Sequence, residues 1–260
     1  MSVSSVLVER SGYITRITIN RPAARNSLNA ETIRRLTEAF SQVATCTDTR
    51  VVVLRGSGTE AFCAGADISE LSANPSPGGR REFFLSVARL VETVARCPMP
   101  VIAQVYGFAL AGGCGLVAAA DIAVASEDAV FGLPEVAIGL APMVVMAPLV
   151  RAIGFRAVSA LALTGERVSA ATAAQIGLVT RVLPKDQLEA TVTELCTQIC
   201  SKGPLAIRET KTALADLLQS NLLSFMNELA DRSALVSISA EAQEGLAAFQ
   251  EKRAPAWKPT

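Results

Sequence analysis

Histidine is absent from this 260-residue chain, and that absence removes a large part of the catalytic menu. No Ser-His-Asp or Cys-His nucleophile system can be built. Any general acid or base must be a carboxylate, lysine, tyrosine, cysteine or water. Metal chemistry loses its commonest ligand too. Cys196 and Cys200 sit four apart on one helix face, and without histidine they give no zinc site, so no metal is expected. The six cysteines contain no Cys-x-x-Cys pair, and a chain of this size needs no disulfide staples, which implies reduced thiols in a cytoplasmic protein. Charge is sparse at 18%, and the 24 basic residues balance the 24 acidic ones. Zero net charge argues against nucleic-acid binding by bulk electrostatics and leaves little repulsion to oppose self-association.

Half of the residues are hydrophobic, enough for a sizeable core in one large domain. Met1 to Tyr13 has Glu9 and Arg10 and no long apolar run, unlike a signal peptide. Cys97 to Ala120 carries no charge and is long enough to cross a membrane. Pro98, Pro100, Gln104 and a glycine cluster interrupt it, and Asp121 follows at once. A buried strand, loop and helix is the reading, with no membrane partner.

Val6 to Thr18 alternates around a Ser11-Gly12 turn, predicting two short strands. Asn29 is a helix N-cap, with Glu31 in the first turn of a helix to about Ala44. Val51 to Leu54 and Val101 to Val105 are continuous apolar strands, as in a sheet covered on both faces. Asn74-Pro75-Ser76-Pro77-Gly78-Gly79 is the strongest breaker and predicts a mobile loop before a helix from about Glu82 to Arg96. Gly112 to Ala120 predicts a helix, and Ile122 to Ala125 and Val130 to Gly132 predict strands. Met143 to Ile153 predicts an apolar helix bent at Pro148, followed by another over Val158 to Leu163. Alternating strands and helices over residues 1–195 imply an α/β core domain, and the helical patterns of 196–260 imply a C-terminal helical subdomain.

Two small-residue turns carry the chemistry. Ala64-Gly65-Ala66 follows a strand, and Ala111-Gly112-Gly113 opens a helix. Backbone N–H groups at such places bind developing negative charge, and small residues let a ligand approach them. Two donors on a thioester carbonyl would stabilise its enolate and acidify the α-carbon. The same glycines also serve tight packing, and Gly112-Gly113-Cys114-Gly115 matches neither a Walker A nor a Rossmann loop.

Several segments, in order, resemble the enoyl-CoA hydratase/isomerase family, the crotonase superfamily. They are Asn20-Arg21-Pro22 with Asn26-Ser27-Leu28, Phe62 to Ile68, Pro100 to Cys114, Phe131-Gly132-Leu133-Pro134-Glu135, Thr164-Gly165-Glu166, Gly177-Leu178-Val179 and Phe249 with Glu251-Lys252-Arg253. The resemblance spans nearly the whole chain. It implies a spiral of repeated ββα units with a helical C-terminal part, a homotrimer or homohexamer, and an acyl-CoA thioester substrate, with coenzyme A entering in the substrate and no separate cofactor. It carries the oxyanion-hole donors onto Ala66 and Gly112. It also places Ala64, Ala66, Asp67, Ile68, Ser69 and Gly113 along the acyl-CoA site, and Arg25, Asn26, Ser27 and Lys252 against the coenzyme.

Family hydratases use two glutamates, one on the helix after the glycine turn and one in the Pro-Glu motif. The second matches Glu135, whereas the first falls on Gly115. One carboxylate suffices to move a proton from C2 to C4 of a 3-enoyl-CoA, as in the family's isomerases. The main expectation is therefore enoyl-CoA isomerisation with Glu135 as the proton shuttle. The alternatives are hydration, with one glutamate or with a carboxylate from elsewhere such as Glu70, and acyl-CoA binding without turnover. Val136 to Gly165 contains no Asp or Glu, so no replacement acid comes from that stretch. Hydratase activity created by Gly115→Glu would strengthen the reading of Gly115 as a missing acid. Tyr106, where many relatives carry Asn, is a candidate to reshape the pocket wall.

Overall fold

A computed structural model describes residues 4–73, 76–217 and 239–257. Parts of two predicted features, residues 74–75 of the breaker and 218–238 of the helical tail, lie outside the described residues.

The chain lays down pairs of strands, each followed by a helix; after the first pair, which stays together as a hairpin, the two strands of each pair go to different sheets. β1 (Val6–Ser11) and β2 (Ile14–Ile19) form an antiparallel hairpin, and α1 (Ala30–Ala44) follows. β3 (Val51–Gly56), β5 (Val101–Val105) and β7 (Ile122–Ser126) then extend one sheet in parallel, and β10 (Arg181–Leu183) closes it in the order β1-β2-β3-β5-β7-β10. Their partners β4 (Ala61–Cys63), β6 (Phe108–Leu110) and β8 (Val130–Gly132) build a second sheet, which the antiparallel β9 (Arg167–Ser169) completes. After these pairs come α2 (Ile68–Ala73) and α3 (Pro77–Ala95), α4 (Gly112–Ala119), and α5 (Met143–Thr164). This is the predicted ββα spiral.

The large sheet is buried on both faces, as its continuous apolar strands require. Val52 and Leu54 of β3 face the main core with Phe40, Phe62, Leu90 and Leu116, whereas Val51 and Val53 face a second core under α7 (Leu188–Cys200). That second core corrects the expected domain boundary. A division at 195/196 cuts α7, whose Val192, Cys196 and Cys200 share one buried face. α6 (Ala170–Gln175) lies between β9 and β10, and α8 (Pro204–Leu217) and α9 (Ala240–Gln250) follow α7.

Four local expectations need correction. Ile68–Ala73 forms α2, a helix that was not predicted, and α3 begins at Pro77, about five residues before Glu82. The Ser76 hydroxyl accepts from Gly79 N and Pro77 occupies the first turn, so the Pro-Gly breaker is a helix start. The separation expected between the helices Met143 to Ile153 and Val158 to Leu163 is present as a break at Gly154, at φ 76° and ψ 166°, a region reserved for glycine, whereas Pro148 keeps helical dihedrals in place of the expected bend. The short strands β9 and β10 carried too little pattern to be predicted.

Candidate active site

α4 is apolar all round and almost wholly buried, so its only exposed chemistry is at its N-terminus. Gly112 is the first helical residue, and its N–H has no intrahelical acceptor. Ala111 before it sits at φ 52° and ψ −120°, a strained conformation for a residue with a side chain. Its N–H is anchored on Gly132 O of β8 at 2.9 Å. The strain is thus held by the second sheet, and it aims the Gly112 amide away from the core.

Ala66 supplies the other amide. Leu28 and Ala66 form an isolated parallel bridge, in which Leu28 N bonds Gly65 O and Asp67 N bonds Leu28 O, each at 2.8–2.9 Å. A parallel bridge made through the flanking residues leaves the Ala66 N–H pointing to the opposite side. The two turns pack closely. A Cβ on Gly65 would lie 2.6 Å from Ala111 Cβ, and one on Gly112 would lie 3.9 Å from Ala66 N. Gly65 therefore has no room for a side chain, which is what close approach of the two donors demands.

Ala66, Gly112 and Glu135 line one cleft of about 320 Å³, walled mainly by apolar side chains from α2, α3 and α5, including Leu71, Phe84, Val87, Val144 and Val145. Glu135 stands on a 3-10 helix, Pro134–Ile138, that ends at Gly139 in the left-handed conformation. Its Oε2 is buried without a hydrogen-bond partner. Burial pushes its carboxyl above the usual glutamate range, against a smaller opposing effect of a backbone hydrogen bond. A partly desolvated, unpaired carboxylate beside two free N–H donors can take a proton from a carbon whose enolate the donors stabilise.

Gly115 is a packing glycine. A Cβ there would sit 2.8 Å from Val145 Cβ and closer still to Val145 Cγ1. The space that a glutamate would need is occupied by α5. Gly115→Glu alone therefore has no room for its side chain against Val145. Glu70 is also removed as a second acid: its Oε2 accepts from Ala30 N at 2.8 Å, and it lines a cavity on the other side of α2. Glu135 is the only carboxylate among the described residues lining the cleft.

A wider groove of about 610 Å³ adjoins the cleft, sharing Ala64, Ala66 and Ile68 with it and adding Arg25, Ser27 and Asp67. The Ser69 hydroxyl and the Arg21 guanidinium, the latter at 2.9 Å, hold the Asp67 carboxyl below the usual range despite partial burial. Asp67 thus fixes its own loop. Arg25 is exposed at the groove edge, paired with Glu60 at 3.2 Å. Other predicted residues are placed differently. Asn26 is fully buried, with Nδ2 donating to Ser57 O and Ala61 O and Oδ1 accepting from Arg21 N. Gly113 abuts the Cys63 carbonyl, and exposed Lys252 lines neither the cleft nor the groove. Tyr106 donates to Gly56 O at 2.7 Å and packs in the second core, so it does not shape the cleft wall. Cys63 and Cys114 are buried thiols pushed up to about 12, which suits packing and not reaction.

Arg167 was missed. It lines the cleft and lies 5.7 Å from the Phe108 ring centroid. Only the β8–β9 pairing, which sets it opposite Gly132, brings it there, and no local sequence pattern announces that pairing.

Two backbone amides and one half-buried carboxylate lining a single apolar cleft are the parts that an enzyme stabilising the enolate of an acyl compound would need. The particular relationship follows from comparison with known proteins. Residues 9–260 match the Enoyl-CoA hydratase/isomerase family, and the chain belongs to it. It is 32% identical over 256 residues to the short-chain-enoyl-CoA hydratase of Clostridium acetobutylicum, covering 97% of both chains. It is 35% identical over 257 residues to the crotonyl-CoA hydratase of Syntrophomonas wolfei, again covering 97% of both. A crystal structure of enoyl-CoA hydratase from Mycobacterium smegmatis superposes with a TM-score of 0.95 at 34% identity, covering 98% of this chain and 99% of that one.

Proposed function

We propose that this enzyme isomerises a double bond in an enoyl-CoA thioester by a one-carboxylate proton shuttle. The observation that carries the reading is the filled space at Gly115, which leaves Glu135 as the only acid among the described residues lining the cleft. The Glu135 carboxylate removes a proton from C2 of a 3-enoyl-CoA. The electron pair moves into the thioester carbonyl, and the oxygen rests on the N–H groups of Ala66 and Gly112. The resulting dienolate takes the proton back at C4, giving the 2-enoyl-CoA. The coenzyme lies along the groove past Ala64 and Ile68, and the acyl part occupies the apolar cleft.

A second reading, hydration of a 2-enoyl-CoA, is favoured by the names of the relatives at 32–35% identity. Here Glu135 would both orient the water and protonate C2. Supplying 3-enoyl-CoA and 2-enoyl-CoA in separate assays distinguishes the two. Conversion of the 3-enoyl thioester without added water supports the shuttle. Hydration of the 2-enoyl thioester with no change in the 3-enoyl one overturns it.

The assembly is proposed as a homo-oligomer, a trimer or a pair of trimers. Apolar Met143, Phe155 and Leu163 of α5 are exposed at 70%, 75% and 80%, and a helix face of this kind is buried at low cost against another copy. α5 is long and apolar enough to cross a membrane by length and composition. Its break at Gly154 leaves two segments, each shorter than the roughly 20 residues a span needs.

A further inference from the structure

We propose that the acyl cleft is one half of a divided tunnel, and that Leu71 is the partition setting the length of acyl chain that binds. This rests on the acyl-CoA reading above. Three cavities are linked in a row by the residues they share. The coenzyme groove and the cleft share Ala64, Ala66 and Ile68. The cleft and a third cavity of about 430 Å³, between α1 and α3, share Leu71 alone. The groove and the third cavity share no residue. A ligand whose nucleotide lies in the groove and whose carbonyl lies at Ala66 and Gly112 therefore extends its tail towards Leu71.

Leu71 suits the role of a partition. It is the one buried residue of the six-residue α2, and it is 7% exposed although it lines cavities on two sides. Beside it Phe84 lines the cleft and Phe83 lines the third cavity, their rings edge to face at 5.7 Å. The third cavity has an apolar floor of Ile33, Leu71 and Phe83, all buried, with Arg34, Glu38 and Glu82 at its exposed rim. An apolar floor with a charged rim fits a hydrocarbon tail that has come through from the cleft. In the wild type the tail stops at Leu71.

The test uses saturated acyl-CoA thioesters, which bind without undergoing either candidate reaction. Dissociation constants are measured for butyryl-, octanoyl-, dodecanoyl- and hexadecanoyl-CoA. Each methylene that gains burial tightens binding about fourfold. Wild-type affinity is expected to rise with tail length and then level off. Leu71→Ala is expected to move that break to a longer tail, with a gain of roughly tenfold or more for the longer thioesters. Ser86→Phe, which fills the third cavity, is expected to return the break to its wild-type position in the Leu71→Ala background and to change little alone. Should Leu71→Ala lose its fold by circular dichroism, Leu71→Val gives the same shift on a smaller scale. A break that stays in place in a folded variant, or a wild-type affinity that climbs without a break, overturns the partition. Failure of the wild type to bind any of these thioesters overturns the acyl-CoA reading itself, and the partition with it.

Discussion

Glu135 carries a conflict between stability and chemistry. Its buried, unpartnered oxygen is costly to ionise, and that cost makes it a stronger base than an exposed glutamate. Glu135→Gln is expected to lower turnover by roughly a hundred- to ten-thousandfold while leaving acyl-CoA affinity nearly unchanged, as read by single-turnover kinetics alongside equilibrium binding. The stability effect has a definite sign. A carboxyl raised above its unfolded value holds its proton more tightly in the folded chain, so folding stability falls as pH rises from the usual glutamate value through the raised one. The melting temperature of Glu135→Gln should therefore exceed that of the wild type above this window and match it below. The rate constant of the wild type should fall on the acid side at a pH above the ordinary glutamate value, because the shuttle begins from the carboxylate. Gly115 makes the complementary point. Gly115→Glu drives a side chain into Val145, and overpacking of this kind costs about 1–3 kcal/mol. The expected result is a lower melting temperature and no hydration of 2-enoyl-CoA. Only together with Val145→Gly is there room to ask whether a second acid adds water.

At the scale of the element, the groups proposed for catalysis sit where regular structure ends. Ala66 follows a strand of the second sheet, Gly112 opens α4, and Glu135 rides a 3-10 turn just past β8. Apolar runs and caps made most elements legible: Asn29 caps α1 by accepting from Thr32 N, and the strands with continuous Val, Ile and Leu lie buried on both faces. α2 was not legible because one buried residue, Leu71, gives six positions too little periodicity to read. The two helices read on either side of residues 154–157 meet at the break at Gly154, whereas the bend expected at Pro148, from proline's usual effect, is absent. Nothing lies within 4 Å of a Cβ at Gly154, so any cost of Gly154→Ala is conformational. That substitution should cost about 1–3 kcal/mol, lowering the melting temperature in thermal unfolding by about 2–4 °C per kcal/mol.

For the whole molecule, two sheets must cooperate before there is a site. From β3 onward, the two strands of a pair join different sheets, so turns far apart in sequence meet: Gly65 against Ala111, and Ala111 tied to Gly132. The exposed apolar face of α5 gives a prediction at this scale. Phe155→Glu with Leu163→Glu should shift the sedimentation profile to smaller species, and an unchanged profile would remove α5 from the interface. The sequence by itself determined the α/β class and the two glycine turns, because periodicity and small residues are properties of local chain chemistry, and its resemblance to the family pointed to Glu135. It also exposed the missing acid at Gly115. Only the tertiary structure decided that this space is closed by Val145, that Glu70 caps α1 on the far side of α2, that Tyr106 faces away from the cleft, and that Arg167 reaches it. Each of these is a contact between elements distant in sequence, and side-chain direction across such contacts is set by packing that no local pattern encodes.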